Sequence, residues 1–271
     1  MAKLLSFLLF LLSIGLHTKG SAQDIDTLID VGGYKLHFKV VEGRGTPILF
    51  ESGAGNDGSV WKDLLKPLDD SLGAPLITYD REGFGKSGID TAGLSVINEV
   101  KGLEAGLRKL GYGKGCFVVA HSLGGAYAMV FSSRNEDRVQ GGVFIDNVSP
   151  CFMTAEKAHE VRMFFSDSLE SIKRQSLGFY FIARNYEYTS RVMREAAPAW
   201  DAPLTVICSD DTPFEGADSI RWKRCMQEFA RVRPNRKYIF AKGCSHYVFD
   251  DNPGLVIKAI VDQYRAVDHV L

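Results

Sequence analysis

Apolar positions recur in two rhythms along the chain. Between Asp24 and Glu51, Tyr34, Leu36, Phe38 and Val40 alternate with polar residues, as in a strand with one face on a core and the other in water. Gly32-Gly33 and Gly43-Arg44-Gly45 punctuate this region as turns. Continuous apolar runs follow at Ile48-Leu49-Phe50, Pro75–Tyr79, Cys116–Ala120, Val143–Ile145 and Leu204–Cys208, with a last strand over Lys237–Ala241. Such runs predict central strands buried on both faces. Between them the period lengthens. Ser95 is placed to cap a helix whose Val96, Val100, Leu103, Leu107 and Leu110 share a face. Further helices are expected over about 217–232 and after Pro253. Only a short, poor crossover segment is expected between Trp61 and Leu68. Strands alternating with helices predict an α/β domain built on a largely parallel sheet.

The alternation stops over residues 149–203. Val161, Phe164, Phe165, Leu169 and Ile172 fall at helical spacing, and Phe179, Tyr180, Phe181, Tyr186, Tyr188 and Trp200 add aromatic bulk. A helical insert at this point would form a lid over the C-terminal edge of the sheet, with most of its aromatics packing it onto the body. Arg162, Arg174, Arg184, Arg191 and Arg194 are expected on its solvated face. The chain thus divides into residues 1–23, a first core segment 24–148, the insert 149–203 and a second core segment 204–271.

The first segment differs in kind. Lys3 precedes the apolar run Leu4–Leu12, and the small residues Gly20, Ser21 and Ala22 follow. A basic start, a short apolar run and a small-residue exit predict a secretory signal peptide, cleaved near Ala22 or Gln23. The run is short for a membrane span, although an uncleaved anchor is the alternative reading. A secreted or periplasmic protein is expected, with no stable membrane association after cleavage. Export permits disulfides. The five cysteines (Cys116, Cys151, Cys208, Cys225 and Cys244) are an odd number, so at least one stays free. Cys116 and Cys208 lie in strand runs and are expected as small core residues. No paired Cys/His spacing suggests a metal site. The net charge of −1 over 271 residues argues against a nucleic-acid partner, and the 45% hydrophobic content supplies a sizeable core.

The stretch Ala120-His121-Ser122-Leu123-Gly124-Gly125 joins a strand to a helix through one serine flanked by small residues. This is close to Gly-x-Ser-x-Gly, with Ala120 in the first place. Small neighbours suit a strained turn that pushes Ser122 out as a nucleophile; the plainer alternative is a helix-capping serine. Gly53-Ala54-Gly55-Asn56-Asp57-Gly58, with Asp80 some way on, imitates a dinucleotide-binding fingerprint. An antiparallel hairpin precedes it, however, whereas that fingerprint follows the first strand of its unit. We therefore read it as an oxyanion loop after the third strand, with the Ala54 and Leu123 amides as donors. Gly85-Lys86-Ser87 imitates the end of a phosphate loop but lacks the earlier glycine. Its turn, with Asp80 and Arg81, is read as bracing loops around the site. Of the six histidines, His246 lies in a glycine-containing loop after the last strand, at the same sheet edge as Ser122, and is the candidate base.

These pieces, together with Tyr79-Asp80-Arg81-Glu82-Gly83-Phe84-Gly85-Lys86-Ser87 and Gly243-Cys244-Ser245-His246, resemble the α/β-hydrolase superfamily from about Asp30 to the end of the chain. The resemblance implies an eight-stranded, mostly parallel sheet with helices on both faces and a helical cap between strands six and seven. It also implies a triad acid. Some relatives carry it after the sixth strand, where Asp146 stands; others carry it after the seventh, where Asp211 or Asp210 is the alternative. Asp146 is favoured. Dehalogenases and epoxide hydrolases of this fold use a carboxylate nucleophile, so a serine at the elbow argues against both. The expectation is a carboxylesterase-like serine hydrolase acting on a small-molecule substrate, without metal or cofactor. A slow-turnover ligand receptor on the same fold, or a dinucleotide-binding oxidoreductase, is the alternative.

Overall fold

The structure, a computed structural model, describes residues 24–268. The signal-peptide expectation for residues 1–23 lies outside the described residues. Eight strands form one sheet: β1 (Ile25–Asp30), β2 (Lys35–Val41), β3 (Ile48–Glu51), β4 (Leu76–Asp80), β5 (Cys116–His121), β6 (Val139–Ile145), β7 (Leu204–Ser209) and β8 (Arg236–Ala241). Their order is β1-β2-β4-β3-β5-β6-β7-β8. The β1/β2 and β2/β4 pairs are antiparallel, and all pairs from β4 to β8 are parallel.

The continuous apolar runs have a direct cause. Successive side chains of a strand point to opposite faces, and both faces here are covered. On β5, Phe117 and Val119 join a core with Leu64 and Leu68 of α1 (Lys62–Leu72) and Val256 and Ile260 of α10 (Pro253–Asp268). The alternate residues Cys116, Val118 and Ala120 join the other core. That core takes Val100 and Leu103 from α2 (Val96–Lys109), most of α3 (Gly124–Arg134) and Trp222 and Met226 from α8 (Gly216–Arg231). The eleven-residue α1 is longer than the short crossover expected between Trp61 and Leu68, and it tolerates Pro67 inside it. Ser95 caps α2 by accepting from the Asn98 amide.

Four helices lie between β6 and β7: α4 (Ala155–Phe164), α5 (Leu169–Gln175), α6 (Leu177–Arg184) and α7 (Tyr186–Ala196). The insert rests on the body through α7 against α3. It also rests on the contact of Gly178 with Gly83, where a Cβ on Gly178 would come within 2.7 Å of the Gly83 carbonyl oxygen. Phe181, Ile182, Tyr186, Met193 and Trp200 are buried, whereas Phe164 is 79% exposed. The arginines do not all face water freely. Arg162 pairs with Glu187, Arg191 pairs with Glu195, and Arg194 donates to the Met153 carbonyl. Cys151, just before α4, is disulfide-bonded to Cys225 on α8, while Cys116, Cys208 and Cys244 are free and buried.

Register positions the site. Glu51 pairs with Ala120, His121 with Ile145, and Ser209 with Ala241. The C-terminal ends of β3, β5, β6, β7 and β8 therefore finish along one rim. The chain passes outward from β3 to β4 and then back to β5. This reversal of strand order opens the crevice at which α/β sheets bind ligands.

Candidate active site

Ser122 follows the last residue of β5 with φ 53°. A non-glycine residue in the left-handed region costs on the order of 1–3 kcal/mol and persists only when its surroundings enforce it. Here its amide donates to the Ile145 carbonyl at 3.1 Å, and its own carbonyl accepts from the Gly125 and Val148 amides, each at 3.1 Å. Gly124 and Gly125 are small for a steric reason. A Cβ on Gly124 would collide with the Glu51 carbonyl oxygen, and one on Gly125 would lie 2.7 Å from the Asn147 Cβ. The first turn of α3 is thereby drawn under the sheet, and the serine side chain is left half-buried at the rim.

The loop after β3 lies against this turn. A Cβ on Gly53 would meet the Ser122 Cβ at 3.2 Å, so the loop backbone passes directly beside the serine. Ser52 is tied down by its side chain, whose Oγ donates to the Asp57 carbonyl and accepts from Trp61 Nε1, both at 3.0 Å. Among the described residues, neither the Ala54 nor the Leu123 amide donates a hydrogen bond. Phe179 of α6 comes within 4 Å of the Cβ position of Gly55, which brings the insert over the loop.

His246 Nε2 stands 2.9 Å from Ser122 Oγ, and His246 Nδ1 stands 2.6 Å from Asp146 Oδ2. An ionised carboxylate only accepts, so Nδ1 carries the hydrogen and Nε2 presents its lone pair to the serine hydroxyl. Asp146 is fully buried, with φ 41°. Its Oδ1 accepts from the Ser209 amide at 3.0 Å and from Trp222 Nε1 at 2.9 Å. The alternative acids lie elsewhere. Asp210 accepts from the Gly243 amide and pairs with Lys223, and these two contacts hold its carboxyl below the ordinary range. Asp211 is exposed, and its amide donates to the Cys244 carbonyl. Both therefore brace the histidine loop, to which Asp251 adds a bond from the Ser245 amide.

Sequence reasoning passed over two contacts. Trp222 sits on the buried face of α8, where nothing in the helical spacing separates a hydrogen-bond donor from a core aromatic. His121 directly precedes Ser122, and nothing in its spacing marks it as a partner of His246. Its Nε2 lies 3.0 Å from the His246 carbonyl, and its ring lies tilted against that of His246 with centroids 4.5 Å apart. Burial, reinforced by the neighbouring imidazole, holds His121 well below the ordinary histidine range. It is therefore neutral, with Nε2–H donating to the carbonyl that accepts it.

Other candidate functions find no support in these contacts. Asp80 accepts from His37, from the Gly58 amide and from the Lys86 amide. It is spent inside the fold rather than presented to a ribose. Cys151, Cys225 and Glu228 lie close together, but the two sulfurs are bonded to each other and offer no thiolate to a metal.

The family model for the alpha/beta hydrolase fold matches residues 46–176. The uncharacterized protein YqjL of Bacillus subtilis is 27% identical over 236 residues, covering 82% of this chain and 85% of that protein. Among solved structures, a thermophilic esterase from Thermogutta terrifontis is similar with TM-score 0.64 at 20% identity, covering 91% of this chain and 100% of the esterase chain. A loop variant of the haloalkane dehalogenase DbeA from Bradyrhizobium elkanii is similar with TM-score 0.71 at 15% identity, covering 92% of this chain and 98% of that one. At these identities the two structures speak for the fold alone.

Proposed function

Because this chain belongs to the α/β-hydrolase superfamily, we propose that it is a serine hydrolase cleaving an ester or related acyl bond of a small apolar substrate. One observation carries the proposal: the continuous chain of contacts from Ser122 Oγ through His246 to the buried Asp146. Serine is a weak nucleophile until a base takes its proton. His246 Nε2 removes that proton as Ser122 Oγ bonds to the acyl carbon. Asp146 holds the ring in the required tautomer and stabilises the imidazolium that forms. Negative charge collects on the former carbonyl oxygen, where the Ala54 and Leu123 amides receive it. Each such donor is worth on the order of 3 kcal/mol in the transition state. The tetrahedral intermediate collapses, the bond to the leaving group breaks, and His246 returns the proton to the departing oxygen. Water then repeats the sequence on the acyl-enzyme and frees Ser122.

The apolar, aromatic insert above the loop supports an ester with an apolar acyl group, of the carboxylesterase type. A serine in place of a carboxylate at the elbow separates this reading from dehalogenase chemistry. Export belongs to the same proposal: the leader-like residues 1–23 support it, as does the Cys151–Cys225 disulfide, a bond that persists in oxidising compartments. The test is turnover of a short-chain aryl ester by the wild type and by Ser122→Ala. Steady turnover that falls by roughly 10⁵-fold or more in the variant is expected. Binding without turnover, or an unchanged rate in the variant, overturns the proposal.

A further inference from the structure

Beneath the loop that follows β3 lies a buried charged cluster that the chemistry above does not use. Arg81 follows directly after β4, with only 2% of its surface exposed. Its Nη2 donates to the Ser52 carbonyl at 2.5 Å and lies 3.5 Å from Glu51 Oε2. The guanidinium carbon stands 4.0 Å from the centre of the Tyr127 ring, on the first turns of α3. The tyrosines connect the acids: Tyr79 donates to Glu51 at 2.8 Å, and Tyr127 donates to Glu99 at 2.7 Å. Burial pushes the carboxyls of both Glu51 and Glu99 up to about 7, against the pull of Arg81.

As a stabilising device this cluster is poor. Burying a guanidinium is costly unless its donors are satisfied. Among the described residues, Nε and Nη1 of Arg81 have no hydrogen-bond partner, nor has Glu51 Oε2. Apolar residues of similar volume would serve the core better. What the arginine does secure is one carbonyl, that of the residue preceding Gly53.

The geometry of a trans peptide gives that carbonyl its importance. The C=O of Ser52 and the N–H of Gly53 share one plane and point in opposite directions. Holding the oxygen down into the body turns the Gly53 side of the plane up toward Ser122. The next amide in the chain is Ala54. We infer that Arg81 is a positioning residue of the oxyanion loop, fixing through the Ser52 carbonyl the direction in which the Ala54 amide is offered to the reacting oxygen. This inference rests on the serine-hydrolase reading above. Ser52 is gripped at two points, its hydroxyl by Trp61 and Asp57 and its carbonyl by Arg81, while the close approach of Gly124 leaves the loop no room to sink. Both contacts are made by one nitrogen, Nη2, on a planar group held over the Tyr127 ring. Lysine offers only a point charge.

The test compares an aryl acetate with its thiono analogue, in which sulfur replaces the carbonyl oxygen. Amide donors aimed at an oxyanion discriminate between the two, because sulfur is larger and accepts hydrogen bonds weakly. Wild-type turnover of the acetate, lost in Ser122→Ala, first establishes the hydrolase reading independently. Arg81→Lys and the charge-balanced Arg81→Met/Glu51→Gln are then compared with wild type, with folding followed by circular dichroism. The expected result is a fall in kcat for the acetate on the order of 10- to 100-fold. KM should change little, and the preference for oxygen over sulfur should shrink by about tenfold. Folded variants that lose activity equally on both esters, or lose none, overturn the inference. Failure of both variants to fold assigns Arg81 to folding alone and overturns it likewise.

Discussion

His246 Nδ1 meets Asp146 Oδ2 at 2.6 Å although a hundred residues of chain separate them. The contact depends on the parallel register of β6, β7 and β8, which brings the ends of those strands to one rim. Asp146 is fully buried and its other oxygen is already bonded to two donors. Asp146→Asn replaces the acceptor at His246 with an amide and lets the ring settle in the wrong tautomer. A loss of kcat of about 10⁴-fold is expected, with the fold retained. Asp211→Asn should change kcat less than roughly threefold, since that side chain is exposed and its contacts run through the main chain. Parallel kinetics of the two variants on one aryl ester decide between the acids.

Trp222 gives a second, finer test. Its indole N–H donates to Asp146 Oδ1 at 2.9 Å, and its ring packs against Phe152 and Phe214. Trp222→Phe keeps most of the packing and removes the donor. A hydrogen bond to a charged group is worth about 1.5–3 kcal/mol. The variant should therefore lose roughly 10- to 100-fold in kcat with KM nearly unchanged. A change confined to KM would place Trp222 in substrate binding instead.

The buried acids set a pH dependence of stability. The Glu99 carboxyl rises from an ordinary 4.5 to about 7, and burial is the largest cause. The folded chain thus holds this proton more tightly than the unfolded chain does. Its contribution is fully present below pH 4.5 and is lost as the pH rises through 7. Glu51 acts in the same direction. Glu99→Gln removes one of the two contributions, each on the order of 3 kcal/mol. Thermal melts should show a smaller decline between pH 4.5 and 7 for the variant, and a higher Tm than wild type at pH 8. An unchanged profile would show that Glu99 does not titrate in this range.

Much of this arrangement was legible in the sequence, for reasons that can be named. Ser122 is announced by its own neighbours, because the tight turn excludes anything larger than the residues around it. His246 is marked by chain order and by the glycine before it. The strands are readable because a sheet covered on both faces needs unbroken apolar runs. Asp146 is favoured over Asp211 only on the family resemblance, and the residues alone leave the choice open. Both follow a strand, and only the register decides which carboxyl faces the ring. Trp222 was silent as a participant, since a hydrogen bond from a core residue to a distant carboxylate leaves no periodicity to detect, and Arg81 was legible only as one of the residues bracing loops around the site. Of the insert between β6 and β7, the helices follow from spacing. The bond from Arg194 to the Met153 carbonyl does not.

The Cys151–Cys225 disulfide joins the segment just after Asp146 to the helix that carries Trp222. It closes a loop between positions 74 apart in the chain. By the chain-entropy relation, a bridge over such a loop stabilises by about 4 kcal/mol. Reduction, or Cys151→Ser with Cys225→Ser, should lower Tm by roughly 8–16 °C for a domain of this size. Calorimetry with and without reductant measures it. An equal Tm would mean that the unfolded chain gains nothing from losing the bridge.

The decisive measurement is covalent labelling with a fluorophosphonate followed by peptide mass spectrometry. A nucleophile activated by His246 attacks phosphorus, expels fluoride and retains the phosphonyl group. One adduct per chain, on the peptide containing Ser122, is expected, and its formation should disappear in Ser122→Ala and slow sharply in His246→Ala. An adduct on another residue, or none on an otherwise folded protein, would contradict a serine nucleophile at the turn after β5.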